Sequence, residues 1–148
     1  LKLPQHFGSC FFCSQMHMDA LREQGNTQVA EGNYKEAADL FSEALALASS
    51  GAPRAEEDES LIVRSLLGNR CLCHMKLGRY EEARSDATEA VALDPRYVKG
   101  HFRLAQCQRR LADLAGAWES ATRAAQLAPE DPEVMALLHS IEAQERGE

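Results

Sequence analysis

A spacing of 34 residues constrains this chain more than any other feature. Ala83 recurs as Ala117, Ala87 as Ala121, Ala90 as Ala124, Leu93 as Leu127 and Pro95 as Pro129. An earlier copy of the same pattern runs Gly32-Asn33-Tyr34-Lys35-Glu36-Ala37 and continues with Phe41, Ala44 and Leu47, matching Gly78-Arg79-Tyr80-Glu81-Glu82-Ala83. Gly32 and Gly78 are 46 residues apart, one period with twelve extra, and the extra length coincides with the Ser-, Gly-, Pro- and acid-rich stretch from Ser49 to about Ser60. Self-similarity at this period signals a stack of small supersecondary units that bury their apolar faces against one another.

Each copy reads as two helices joined by a tight turn. Gly32-Asn33 and Gly78-Arg79 are stop signals that tolerate positive φ. Asp94-Pro95 and Asp131-Pro132 read as helix starts, since Asp caps and Pro is tolerated in the first turn. Gly25, Ala37, Ala44, Cys71, Ala83, Ala90, Ala105, Ala117 and Ala124 recur where paired helices must approach closely. Past the last copy, Val134, Leu137, Leu138 and Ile141 fall at i, i+3, i+4 and i+7, the single apolar stripe of a terminal cap.

On these residues the chain resembles the tetratricopeptide repeat family. The resemblance implies an all-α, right-handed superhelix of three helix-turn-helix repeats, at about 18–51, 61–97 and 98–131. A capping helix follows at about 132–146, so the domain spans 18–148, behind an N-terminal leader or linker of residues 1–17. Gln28, His74 and Gln108 depart from the family pattern, standing where it has a large apolar residue. Ala87 and Ala121 replace an aromatic whose volume Trp118 is expected to fill in part.

Stacked helix pairs form a concave face, which the first helix of each repeat lines in this family. Arg22 and Asn26, one turn apart, then belong to the groove, with Gly25 letting the second helix close in behind them. The second repeat offers Asn69, and the third offers Lys99 and Arg103, again at i, i+4. Three cations and two amides suit carboxylates, because charged donors make short, strong hydrogen bonds to them. The set resembles the carboxylate clamp of co-chaperone repeat domains, which hold the C-terminal Glu-Glu-Val-Asp of cytosolic heat-shock chaperones of the Hsp70/Hsp90 class. Asn26, Asn69, Lys99 and Arg103 match that clamp by identity. Arg22 stands in place of Lys, which keeps the charge and changes the hydrogen-bond geometry. Phe102, with Val29 and Leu72 as weaker candidates, would floor an apolar pocket for the ligand. The expectation is a co-chaperone or chaperone adaptor; the alternative is a scaffold holding an internal or helical segment of an assembly partner.

The net charge of −7 argues against nucleic acid or an anionic membrane as partner, and no apolar run reaches the ~20 residues that span a bilayer. Five cysteines with no secretory pattern fit a reducing, cytosolic setting. His6, Cys10, Cys13 and His17 have zinc-ligand spacing, but the segment is short and Phe-rich, and a linker or a packed aromatic segment explains it equally; the reading carries no metal and no cofactor. No phosphate-binding loop and no nucleophile with a base at motif spacing supports catalysis. The preferred chaperone and the oligomeric state are left open.

Overall fold

The chain reverses direction at Gly32, Gly78 and Ala112, and these three turns organise everything between them. All three have positive φ, at 82°, 75° and 61°. Each closes the preceding helix with the same pair of bonds. Gly32 N–H donates to Val29 O and Asn33 N–H to Gln28 O, at 3.1 and 2.8 Å. Gly78 and Arg79 repeat this on Met75 and His74, and Ala112 and Asp113 on Arg109 and Gln108. The bonds satisfy helix-end carbonyls that would otherwise be orphaned. The third copy does it with an alanine, which has a Cβ in the left-handed region where glycine has none.

The computed structural model describes the backbone of residues 6–49 and 56–148, and the side chains of 13–49 and 59–148. Its helices are α1 (His6–Glu31), α2 (Tyr34–Ala48), α3 (Glu56–Lys76), α4 (Tyr80–Leu93), α5 (Val98–Arg110), α6 (Leu114–Leu127) and α7 (Pro132–Glu145), and no strand occurs among the described residues. The fold is all-α and superhelical. Consecutive helices pack as hairpins, and α1, α3, α5 and α7 also touch in sequence, so the first helices share one face. No described helix is long and apolar enough to cross a membrane.

The small residues are where the spacing puts them. Ala37, Ala44, Cys71, Ala83, Ala90, Ala105, Ala117 and Ala124 are fully buried. Gly25 is the extreme case: a Cβ there would lie 2.6 Å from Cε1 of the fully buried Phe41. Burying a ring of that size contributes about 1.5–3 kcal/mol, and only Gly leaves room for it. Among the described residues the core forms three clusters, each closing a helix pair against the helix that follows it, which for the third is α7 with Leu137 and Ile141.

The structure departs from the sequence expectations in four places. Helix α1 begins at His6, so residues 6–17 continue it rather than forming a separate segment, and no proline interrupts the chain between Pro4 and Pro53. Met18 is nonetheless the first buried residue among those described. Helix α3 starts at Glu56, so the connection is shorter than the stretch to Ser60; residues 50–55 of it lie outside the described residues. Asp131 caps α7 through Glu133 N–H at 2.9 Å, but Asp94 does not start α5. Its carboxylate is taken by Arg64 of α3 and by Arg96 N–H, and α5 begins after Tyr97. Trp118 does not fill the space left by Ala87 and Ala121: it is 42% exposed and lies on the outer surface.

The polar departures from the repeat pattern are matched in pairs. His74 faces the buried Asp86, which also accepts from Arg70 Nε and Nη2 at 2.8 and 2.6 Å. Gln108, one period on, is hydrogen-bonded at 2.7 Å to Ser120, one period after Asp86. Gln28 accepts from Asn33 Nδ2 at 2.8 Å. A polar group in a helix interface costs little when its partner is supplied from the facing helix.

Candidate ligand-binding groove

Among the described residues, one side-chain hydrogen bond joins α1 to α3 and another joins α3 to α5 along their shared face. Asn69 Nδ2 on α3 donates to Asn26 Oδ1 on α1 at 3.1 Å. This bond leaves both N–H groups of Asn26 and one of Asn69 available to an incoming acceptor. Arg103 Nη1 on α5 donates to the carbonyl of Gly68 on α3. Gly68 is required for that approach, because a Cβ there would sit 2.5 Å from Tyr97 Oη and 3.1 Å from Arg103 Nη1. Tyr97 is in turn held under the Arg64 guanidinium, 4.7 Å from ring centroid to Cζ. Arg103 therefore presents its remaining donors from a fixed guanidinium rather than a loose chain.

Lys99 lies one turn before Arg103, is exposed, and has no ionic or hydrogen-bonding partner among the described residues. Arg22 is one turn before Asn26 and 3.3 Å from Asp19 of its own helix, an i,i+3 pair at the surface. Such pairs are worth a few tenths of a kcal/mol, so Asp19 is a weak competitor for a ligand carboxylate.

A cavity of about 550 Å³ opens between α3 and α5. Lys99, Phe102, Arg103 and Leu72 line it. Phe102 serves two roles, since its other side packs on the third core cluster. Arg22, Asn26 and Asn69 lie outside this cavity wall. Val29 does not reach it either: it packs against the first core cluster beneath α2. His101 also turns away, with Nε2 2.8 Å from Pro95 O, and it lines a second cavity on the outer surface with Trp118. Two cations missed by the sequence reading, Lys76 and Arg110, complete the α3–α5 cavity. Lys76 is two turns past Asn69 and Arg110 two turns past Arg103, an i,i+7 relation that would have found them.

The groove therefore gathers cations in a chain of net charge −7, which focuses anions toward one surface. Cys71, Cys73 and Cys107 are fully buried beside it. Burial pushes the Cys73 thiol up to about 11, and a hydrogen bond to Cys107 together with burial raises Cys71 further. Of the zinc-spaced residues, Cys13 is exposed and His6 and Cys10 lie outside the described side chains.

A sequence profile described as "Tetratricopeptide repeat" matches residues 14–52 and 74–132. The mouse protein "DnaJ homolog subfamily C member 7" is 33% identical over 109 residues, covering 74% of this chain and 20% of its own length. This chain thus spans about a fifth of that relative. Among solved structures, the first repeat domain of Spaghetti (RPAP3) bound to the HSP90 peptide SRMEEVD superposes with TM-score 0.74 at 26% identity, covering 87% of this chain and 93% of that one. The myosin chaperone UNC-45 from C. elegans, solved with a Hsp90 peptide, gives TM-score 0.76 at 28% identity, covering 87% of this chain and 14% of that one.

Proposed function

Because the chain belongs to the tetratricopeptide repeat family, we propose that its groove binds the acidic C-terminal tail of heat-shock chaperones of the Hsp70/Hsp90 class, making it a co-chaperone or chaperone adaptor module. Arg22, Asn26, Asn69, Lys99 and Arg103 are assigned to the ligand's carboxylates, and Phe102 and Leu72 to its apolar side chain. Asn26 and Asn69, already joined at 3.1 Å, supply N–H donors from α1 and α3. Lys99 and Arg103 supply charge from α5. The observation that carries this reading is the pairing of an unpartnered Lys99 with a braced Arg103, one turn apart, in the wall of a cavity of peptide-binding size. A cytosolic setting and a binding role without catalysis follow from the same reading.

A tail held this way binds at about micromolar strength, about 8 kcal/mol. The test is calorimetric titration with a peptide ending in Met-Glu-Glu-Val-Asp, as free acid and as C-terminal amide. Saturable binding of the acid that is lost in the amide, and lost again in Lys99→Ala and Arg103→Ala, supports the clamp. Equal binding of acid and amide favours the second reading, a scaffold that grips an internal or helical segment. That reading draws on one observation: Arg22 and Arg103 already have intramolecular partners in Asp19 and the Gly68 carbonyl.

A further inference from the structure

Behind the groove wall, the ring of Tyr97 occupies space that two glycines leave open. A Cβ at Gly68 of α3 would lie 2.5 Å from Tyr97 Oη and 3.3 Å from its Cε1. A Cβ at Gly100 of α5 would lie 2.7 Å from Cδ1 of the same ring. On the tail-binding reading above, we infer that Tyr97 is a positioning residue of the groove. Wedged between α3 and α5, it holds Arg103 where its guanidinium meets the ligand carboxylate, and Arg64 with Asp94 holds the wedge in place.

The ring and the Arg103 guanidinium press on the same point of α3. The Cβ position of Gly68 is 3.1 Å from Arg103 Nη1, and Nη1 donates to the Gly68 carbonyl. A smaller side chain at position 97 would leave a void against both glycines and let α3 and α5 close over it, shifting the carbonyl that braces Arg103. The ring is itself fixed. Arg64, one turn before Gly68 on α3, has its Cζ 4.7 Å from the Tyr97 centroid, and its Nη1 is paired with Asp94 in the α4–α5 connection. Tyr97 N–H donates to Asp94 O at 3.0 Å, and His101 Nε2 lies 2.8 Å from Pro95 O, so the same connection is tied to the first turn of α5. The last turns of contact thus run in a closed circuit, from α3 through Arg64 and Asp94 to Tyr97 and back to α3 at Gly68. Tyr97 does not line the α3–α5 cavity, so it acts through Arg103 and not on the ligand. A binding group must sit within about 0.5 Å of its productive place, and a charge-assisted hydrogen bond that misses forfeits about tenfold in affinity.

The test titrates the whole chain by calorimetry with a peptide ending in Met-Glu-Glu-Val-Asp, as free acid and as C-terminal amide, once circular dichroism shows each variant folded. Tyr97→Leu should bind the acid about tenfold more weakly than the parent, and Tyr97→Phe, which keeps the ring, should recover affinity to within about threefold. Arg103→Lys keeps the charge without the planar fork that reaches Gly68, and should also lose about tenfold. Adding Tyr97→Leu to Arg103→Lys should cost less than about twofold more, because the group being positioned is already gone; a merely structural role would cost the same on both backgrounds. Arg64→Met, a milder change that removes the cation from the ring, should show the same coupling at about threefold, and it decides the matter if Tyr97→Leu does not fold. A folded Tyr97→Leu within about twofold of the parent, or equal losses with and without Arg103→Lys, overturns the inference while the clamp stands. A parent that binds acid and amide alike removes the tail-binding reading, and the inference falls with it.

Discussion

Removing the carboxylate of Asp86 should be among the most costly single changes available outside the apolar core. Asp86 is 4% exposed and accepts two hydrogen bonds from Arg70, at 2.8 and 2.6 Å. Arg70 also donates to Ser42 Oγ of α2 at 3.1 Å, so the group links α2, α3 and α4. The hydrogen bonding that Arg70 donates to Asp86 is the main reason its guanidinium is held above its ordinary range. In Asp86→Ala the guanidinium keeps only Ser42. Breaking a buried pair from one side costs about 3–5 kcal/mol. The Arg70 side chain is 23% exposed, so water recovers part of this, and about 2–3 kcal/mol is expected. At about 2–4 °C per kcal/mol for a chain of this size, the melting temperature should fall by about 4–12 °C. Replacing both partners, as Arg70→Met with Asp86→Leu, should return stability to within about 1 kcal/mol of the parent. Urea unfolding would be followed by far-ultraviolet circular dichroism and by fluorescence of Trp118, the single tryptophan, which sits in α6 and reports a different repeat. A loss under about 1 kcal/mol in Asp86→Ala, or no coupling in the double-mutant cycle, would refute the reasoning.

The two cations of α5 should separate by stability. Lys99→Ala should leave the melting temperature within about 1 °C, whereas Arg103→Ala should lower it by a few degrees, because the Gly68 carbonyl loses its cross-helix donor; equal melting of the two would contradict the bracing role. Ala112, at φ 61°, should gain from glycine. Relief of the left-handed strain, about 1–2 kcal/mol, exceeds the added entropy of the unfolded chain, about 0.4–1 kcal/mol, so Ala112→Gly should raise the urea midpoint and Ala112→Val lower it. His74 has its pKa lowered, chiefly by burial; Asp86 and Glu82 act against this, while Arg70 and Arg79 reinforce it. The unfolded state therefore binds the proton first. The contribution is fully present above the unfolded pKa of about 6.5 and is lost as pH falls through that value toward the lower folded one. His74→Gln should flatten stability between about pH 7 and pH 5.5, and an unchanged slope would remove His74 as its source.

What could be read in the sequence is what lies close along the chain. The 34-residue spacing, the small buried positions and the glycine stops are local, and the structure places each as expected. The third stop carries no glycine, yet counting 34 from Gly78 reaches Ala112. Asp94 was misleading because an Asp-Pro pair looks the same whether the Asp caps a helix or pairs with a distant side chain, here Arg64, thirty residues earlier. For the groove, the resemblance to the carboxylate clamp pointed to Arg22, Asn26, Asn69, Lys99 and Arg103, but not to the Asn69–Asn26 or Arg103–Gly68 bonds, which depend on how helices stack. Val29 was misplaced by rotation. Three residues past Asn26 is about 60° short of a full turn, enough to swing it from the groove onto the α2 side. Trp118, next to the inward Ala117, is about 100° from the core direction and so faces solvent.

The matched polar pairs give each repeat an address. A chain built from like units risks joining the wrong ones, between copies or one period out of step. Here the equivalent places differ: His74 and Arg70 meet Asp86, whereas Gln108 meets Ser120 and the place of Arg70 is taken, one period on, by the apolar Leu104. Were α3 to dock on α6 in place of α4, Arg70 would enter the interface facing Ser120, with no carboxylate. Asp86 would be left against Gln108 and Leu104. An ionic mismatch of this kind forfeits several kcal/mol, while the apolar and small residues at the same interfaces, being nearly interchangeable alanines, would hardly register the exchange. The helices tell one another apart by charge and hydrogen bonding, and the alanine spacing only says that they are helices of the same kind.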